Sequence, residues 1–249
     1  MLHLGQSEQN ILPKAKRGKH TVVIPLMEEH TAQRPVCYAA PVPTPEALDI
    51  LWDKGHFADY VRERGLLHLC PATYSSIEEA KFPCVIKRTQ LNGGTGVEVA
   101  ASLEQARRLL ENEPFAGHRC VVQAMVPFEV EYTVHCVCMK GRIVWHTTYA
   151  FDFQEQQIRK VGSHHTIRRA TISGCFLVDL EALLLPLEYS GPCNVDCTVG
   201  ADGRLVVFEI NPRMGGSLMR PENIDDLAAC LSVIIDKATS GARPGKMLK

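Results

Sequence analysis

The chain has 249 residues, 45% hydrophobic and 22% charged, with 27 basic against 28 acidic side chains and a formal net charge of −1. This is the composition of a globular protein with enough apolar content for a sizeable core, and the near-neutral balance excludes the footprint of a nucleic-acid or membrane-surface binder. No uncharged apolar run approaches the roughly 18 residues of a spanning helix, and the opening MLHLGQSEQNILPK lacks a basic-then-apolar leader, so a cytoplasmic setting is expected.

Residues 14–20 (KAKRGKH) form a basic run expected to be a solvated loop. Residues 21–26 (TVVIPL) read as a short buried strand, and the four prolines within 34–45 read as a connector. Thr44-Pro45 starts a helix with an N-cap hydroxyl and a proline in the first turn; Asp53 starts another, with Gly65 as its C-cap. CVIKR (84–88) reads as a strand, joined by the cluster Asn92-Gly93-Gly94-Thr95-Gly96 to a second at 97–100. Ser102 and Gln105 form a capping box for a helix through Glu111, and a strand follows at 119–126. Strands at 132–138 and 142–148 flank the turn Lys140-Gly141, and residues 150–173 read as polar and irregular. A helix at 177–187 precedes strands at 194–199 and 205–210 around Asp202-Gly203. In the last element Ile224, Leu227, Ala228, Leu231, Ile234, Ile235 and Ala238 recur at helical spacing and predict one apolar face. The mixture of hairpins and helices predicts an α+β fold with largely antiparallel sheets. Ten cysteines, with no C-x-x-C pair, are expected to be reduced core thiols rather than a disulfide framework or a zinc site.

Residues 194–213 carry the sharpest chemical signal. If Asp202-Gly203 is a two-residue hairpin turn, Asp196 falls opposite Glu209 and Asn194 opposite Asn211, all on one strand face. Val195, Cys197, Phe208 and Ile210 are then expected on the core face. Facing carboxylates repel one another, and a divalent cation would turn that repulsion into attraction. An oxygen-only set suits Mg²⁺ or Mn²⁺, which share their shell with substrate phosphates; a solvent-exposed polar strand face is the plainer alternative. Arg213 and Gly215-Gly216 follow directly, offering a cation and close backbone approach.

A second cluster lies upstream. Lys87 stands in a strand whose other central residues are apolar, so its ammonium must reach solvent or an anion. The glycine cluster after it supplies N–H groups able to cradle phosphate oxygens. The alternative is an edge lysine followed by a flexible turn; neither GxxxxGK[ST] nor GxGxxG is present.

Read in order, Asp53-Lys54, FPCVIKR (82–88), NGGTGVEVA (92–100), VVQAMVPFEVEYTV (121–134) and NVDCTVGADGRLVVFEINPRMGGS (194–217) resemble the ATP-grasp superfamily, over most of the chain. The resemblance implies an ATP-grasp fold, with two α+β subdomains and a nucleotide between them. It divides the chain into an N-terminal remnant and connector (1–45), linking helices with the small lid subdomain (46–125), and a large subdomain with the metal site (126–249). Lys54 and Lys87 would contact ATP phosphates, Lys87 also lying near the adenine. Gly93, Gly94 and Gly96 would lie in the loop over the phosphates. Gln123 would precede the adenine-binding connector, whose backbone at Ala124, Met125 and Val126 would read the base. Glu131 would bind the ribose, with Glu129 competing for that role because a glycine common just before this glutamate is replaced. Asp196, Glu209 and Asn211 would hold Mg²⁺ (or Mn²⁺), and Arg213 would stabilise the transferred phosphoryl group. Only about 40 residues precede the match, so the family's N-terminal α/β domain is expected to be truncated, with part of the substrate pocket either missing or supplied by a homo-oligomer or partner chain.

The activity implied is ATP-dependent ligation of small molecules: a carboxylate is phosphorylated and the acyl-phosphate is attacked by an amine or similar nucleophile. A kinase acting on a stable acceptor and a non-catalytic nucleotide-binding module are the alternatives. The cationic stretch with Arg159, Lys160, His164, His165, Arg168 and Arg169 could face an acidic substrate or be a solvated loop; Arg142 is expected to be exposed, and Arg220 could bind a substrate carboxylate.

Overall fold

The computed structural model describes residues 22, 24, 26–32, 41–91, 95–153 and 165–240. The basic run at 14–20, Gly93, Gly94, Arg159, Lys160 and His164 fall outside this set, as does most of the expected strand at 21–26. Among the described residues the elements are α1 (Glu28–Ala32), α2 (Pro45–Trp52), α3 (Lys54–Glu63), β1 (Thr73–Tyr74), β2 (Cys84–Arg88), β3 (Val97–Ala100), α4 (Leu103–Leu110), β4 (Cys120–Ala124), β5 (Val130–Met139), β6 (Arg142–Phe153), β7 (His165–Ala170), α5 (Gly174–Leu184), β8 (Gly191–Val199), β9 (Leu205–Asn211) and α6 (Ile224–Ser240), with short 3-10 turns between some of them. None of these helices is long and apolar enough to cross a membrane.

Local chemistry explains the helix starts. The Thr44 hydroxyl accepts from Ala47 N–H at 3.1 Å, with Pro45 in the first turn of α2. Asp53 accepts from Gly55 and His56 N–H at 2.8 and 3.2 Å, and Lys54 N–H bonds the Thr89 carbonyl at 3.0 Å. Burial pushes the Asp53 carboxyl up, but the two backbone donors and His56 hold it below the usual carboxylate range. At α4 Ser102 accepts from Gln105 N–H, and Gln105 reaches back to Ala101 N–H, one residue earlier than a standard capping box.

The strands form a four-stranded sheet, β1-β4-β2-β3, and a five-stranded sheet, β7-β6-β5-β8-β9, with every pairing antiparallel. Side-chain alternation gives each sheet a buried face. Cys84, Ile86, Ala100 and Val122 pack with Ala106 and Phe115 behind the small sheet. Val134, Cys136, Val195, Cys197 and Ile210 pack with α5 and also with α2 and α3, through Ala47, Leu51, Phe57 and Tyr60. The helices that precede the small sheet in the chain therefore share their core with the large one. On the opposite face of the large sheet, Val137, Tyr149 and Phe151 meet Cys230 and Ile234 of α6, with Val22, Ile24 and Leu26 at the margin.

Three sequence expectations change. Residues 150–173 are not irregular throughout: β6 runs to Phe153, and β7 forms the sheet edge beside it. The buried face of α6 is Cys230, Ile234 and Ala238, flanked by Leu227 and Leu231. Ile224 and Ile235 are exposed, so the packed stripe is rotated from the expected one. Helical periodicity defines a stripe only to within a neighbouring residue, and the sheet selects which. The third change concerns the hairpin of the site. All nine described cysteines are free thiols; burial pushes Cys70 and Cys230 up to about 12, leaving them protonated at neutral pH.

Candidate active site

A cavity of about 460 Å³ lies between the sheets. The small sheet lines it with Val85, Lys87, Val97 and Gln123, and the large sheet with Glu131, Thr133, Asn194, Asp196, Phe208, Glu209 and Asn211. The unpaired connector between the sheets adds Met125, Val126 and Phe128 beside Ala124; Lys54 enters from α3, and Arg213, Gly215, Gly216, Ser217 and Arg220 follow β9. Every described residue of the expected set lines this cavity except Gly96. Gly96 instead adopts φ +70° in the turn after Leu91, where its carbonyl accepts from Arg88 N–H at 2.8 Å.

Asp196 lies opposite Glu209 and Asn194 opposite Asn211, as the hairpin arithmetic requires, but by another route. Val199 pairs with Leu205, so 200–204 is a five-residue loop, and Cys197 pairs with Val207. Phe208 is the extra residue of a β-bulge, which restores the expected register for the last pairs. The bulge corrects the expectation for Phe208: its ring lines the cavity, whereas Val195, Cys197 and Ile210 are buried in the core.

The facing carboxylates are held by neighbours of opposite polarity. Thr133 Oγ1 donates to Asp196 Oδ1 at 2.7 Å. Asn211 Nδ2 donates to Glu209 Oε1 at 3.2 Å and reaches Asp196 Oδ2 at 3.5 Å. Lys54 Nζ lies 3.5 Å from Glu209 Oε2 and donates to the Leu91 carbonyl at 2.7 Å. Among the described residues no group of three His, Cys, Asp or Glu side chains gathers; two carboxylates and one amide are the available set. These oxygens fit a hard dication that completes its shell with water and phosphate. Ligation through Asn211 Oδ1 would need its amide turned, because the NH₂ now faces the carboxylates.

Two cations complete the polar wall. Lys87 is 9% exposed. Burial lowers its pKa, Glu209 and Glu131 oppose that shift, and Lys54 adds to it. Its Nζ stands 5.7 Å from the centroid of the Phe208 ring, within cation–π range. Arg213 pairs through Nε with Glu28 Oε1 at 2.9 Å and reaches Asn211 Oδ1 through Nη2 at 3.4 Å. Glu28 is 1% exposed on α1. No local pattern marks it, because its partner is distant in sequence. Gln123 donates to Thr73 Oγ1 at 3.3 Å, while its Oε1 and the Asn194 Oδ1 are buried without hydrogen-bond partners. Both residues line the cavity, so these acceptors suit a donor from a ligand.

Glu131 is buried in the cavity wall, whereas Glu129 is exposed in the connector before β5 begins and does not line the cavity. Of the cationic stretch, Arg168 pairs with Asp152 and Arg169 with Asp226, both away from the cavity lining. Arg142 is exposed and pairs with Glu181.

The family model of the ATP-grasp domain matches residues 70–219. No match was found among curated proteins. Biotin carboxylase from Campylobacter jejuni superposes with a TM-score of 0.61 at 13% identity, over 87% of this chain and 52% of that one. N5-carboxyaminoimidazole synthase from Aspergillus clavatus, in complex with ADP and 5-aminoimidazole ribonucleotide, gives 0.59 at 16% identity, over 84% and 56%. D-alanine–D-alanine ligase from Bacillus anthracis, complexed with ATP, gives 0.58 at 18% identity, over 82% and 72%. At these identities the likeness is one of fold, and the chain spans about half the length of the first two.

Proposed function

The chain belongs to the ATP-grasp family, and on that premise we propose that it binds Mg·ATP between its two sheets and activates a small carboxylate as an acyl-phosphate for attack by an amine. The observation that carries this reading is the convergence, on one cavity, of two lysines, an arginine, an unpaired connector and facing carboxylates from segments spread between Lys54 and Arg213.

The small sheet supplies an apolar slot, Val85 and Val97, for a flat base, and Gln123 offers an unpaired acceptor at its edge. Backbone groups of Met125 and Val126 read the base; Ala124 contributes through its carbonyl, because its N–H already bonds the Ala72 carbonyl at 2.8 Å. Glu131 accepts from the ribose hydroxyls. Lys54 and Lys87 bind the phosphates, and that polyanion relieves the unfavourable burial of Lys87. Asp196, Glu209 and Asn211 would hold Mg²⁺, which neutralises charge on the phosphates. Arg213, clamped by Glu28, is aimed from the segment beyond β9 to stabilise the phosphoryl group as the substrate carboxylate oxygen attacks in line. Catalysis is then positioning and charge neutralisation, strengthened as the small sheet closes about the connector and water leaves.

The test is calorimetry with ATP in the presence of Mg²⁺ and of EDTA, followed by ADP release over panels of acids and amines with hydroxylamine as trap. Magnesium-dependent binding and an acid-dependent hydroxamate are expected. Absence of binding removes the reading; a stable phosphorylated product in place of a hydroxamate makes the protein a kinase.

A further inference from the structure

Beyond the carboxylates, the cavity wall ends in a hydroxyl that the nucleotide chemistry leaves unused. Ser217 lines the cavity in the 3-10 turn Gly216–Met219, and its Oγ lies 2.8 Å from Nε2 of His135. His135 is 1% exposed on β5, on the same strand face as Glu131 and Thr133. Burying an imidazole away from water is unfavourable unless its nitrogens meet polar groups, so its orientation is informative.

The ring is held in place from several sides. Tyr149 meets it edge-on, with centroids 5.6 Å apart. Asn194 is its cross-strand neighbour. Gly215 passes so close that a Cβ there would stand 2.6 Å from His135 Cε1 and 3.0 Å from Asn194 Oδ1. The Ser217 carbonyl is anchored by Asn223 Nδ2 at 2.7 Å. Among the described residues, the charged and titratable groups near the pair include Tyr149 on β6, with Asp226 of α6 bonded to its hydroxyl and Arg169 of β7 paired to that carboxylate. Asp196 lies two residues along β8 from Asn194, and Arg213 and Arg220 share the segment that carries Ser217.

We propose that Ser217 and His135 form a proton relay for the attacking amine, an assignment that rests on the ligase reading above. The amine nitrogen forms a bond to the acyl carbon, and the C–O bond to phosphate breaks. The surplus proton on that nitrogen passes to Ser217 Oγ as the serine's own proton passes to His135 Nε2. Serine is regenerated, phosphate leaves with its electron pair, and the imidazolium later releases its proton to solvent. Ser217 touches the substrate; His135 acts through it as a positioning residue and proton store.

The test compares amino-acid amines with hydroxylamine as the nucleophile, using whichever acid gives a hydroxamate with the unaltered protein. Hydroxylamine is a strong nucleophile already unprotonated at neutral pH, so it depends less on a relay. In Ser217→Ala and His135→Gln the ratio of the amine rate to the hydroxylamine rate should fall about 100-fold. The amine-dependent kcat profile should change shape in His135→Gln, keeping only the acid limb set by the amine's own ammonium, and Ser217→Thr should restore part of the ratio. An unchanged ratio, or an amine-dependent kcat profile identical to that of the unaltered protein in His135→Gln, overturns the relay and leaves the ligase reading intact. Failure of the unaltered protein to bind Mg·ATP or to form any hydroxamate overturns both.

Discussion

The two sheets meet one cavity with opposite chemistry. The large sheet offers it oxygen-bearing side chains in cross-strand register, Glu131, Thr133, Asn194, Asp196, Glu209 and Asn211. The small sheet offers Val85, Val97, Gln123 and a single cation, Lys87. Mutually repelling carboxylates need a frame that holds them at fixed spacing, and theirs is a ladder backed by the core that α2, α3 and α5 share. On the reading proposed above, a base and a phosphate need shape and one charge, and the small sheet presents these over a core of its own. The charged wall accordingly shares the larger core, while the apolar wall has a core of its own and is joined to it through the connector.

The contrast can be broken most severely at the charged wall. Glu209→Gln removes one of the facing carboxylates and the counter-charge nearest Lys54. Turnover should fall by about 10³-fold, on the scale of losing a key electrostatic group, with circular dichroism unchanged. Asn211→Ala should behave alike, and activity within tenfold of the original in both variants would take the metal assignment away.

At the apolar wall the sign of the effect divides. Lys87→Met should weaken Mg·ATP binding by about 10- to 100-fold, the worth of a charge-assisted contact, measured by calorimetry. It should not lower the melting temperature of the nucleotide-free protein, because a buried charge is exchanged for an apolar chain of similar length. Burial sets the folded pKa of Lys87 below its unfolded value. The folded state is therefore penalised below that folded value and relieved as the lysine deprotonates, so stability relative to Lys87→Met should climb as pH rises toward the ordinary lysine range. Unfolding curves at neutral and alkaline pH measure this; a parallel pair of curves would mean that Lys87 is well solvated.

The smallest expected effect lies behind both walls. Asp53→Ala removes the cap of α3 and should lower stability by about 1 kcal/mol in denaturant unfolding. Because the folded Asp53 pKa lies below its unfolded value, the contribution is present above the unfolded value and is lost as pH falls through the folded one. Lys54 begins that helix, so a modest rise in the Kd for ATP should accompany the change; an unaltered Kd would separate the cap from the phosphate site.

Much of the charged wall was legible because strand alternation is local. Asp196, Glu209 and Asn211 can be assigned to one face from the chain alone, and the structure places them there. The expected turn was nonetheless wrong: the loop is longer, and a bulge at Phe208 compensates for it. No spacing rule signals a bulge, since its cause is the fit of the strand to its neighbours. The choice between Glu131 and Glu129 was equally out of reach, because the two share parity and only the point where the connector joins β5 separates them.

The sequence by itself determined which side chains alternate together, where helices are capped, and which residue types could bind a phosphate or a hard cation, because each depends on neighbours a few positions away. Tertiary structure alone decided that Thr133 steadies Asp196, that Glu28 clamps Arg213, that Phe208 turns toward Lys87 and that Ser217 meets His135. Those partners stand far apart in the chain, and their meeting is set by how two sheets and their covering helices bury apolar area together, a sum that no local window contains.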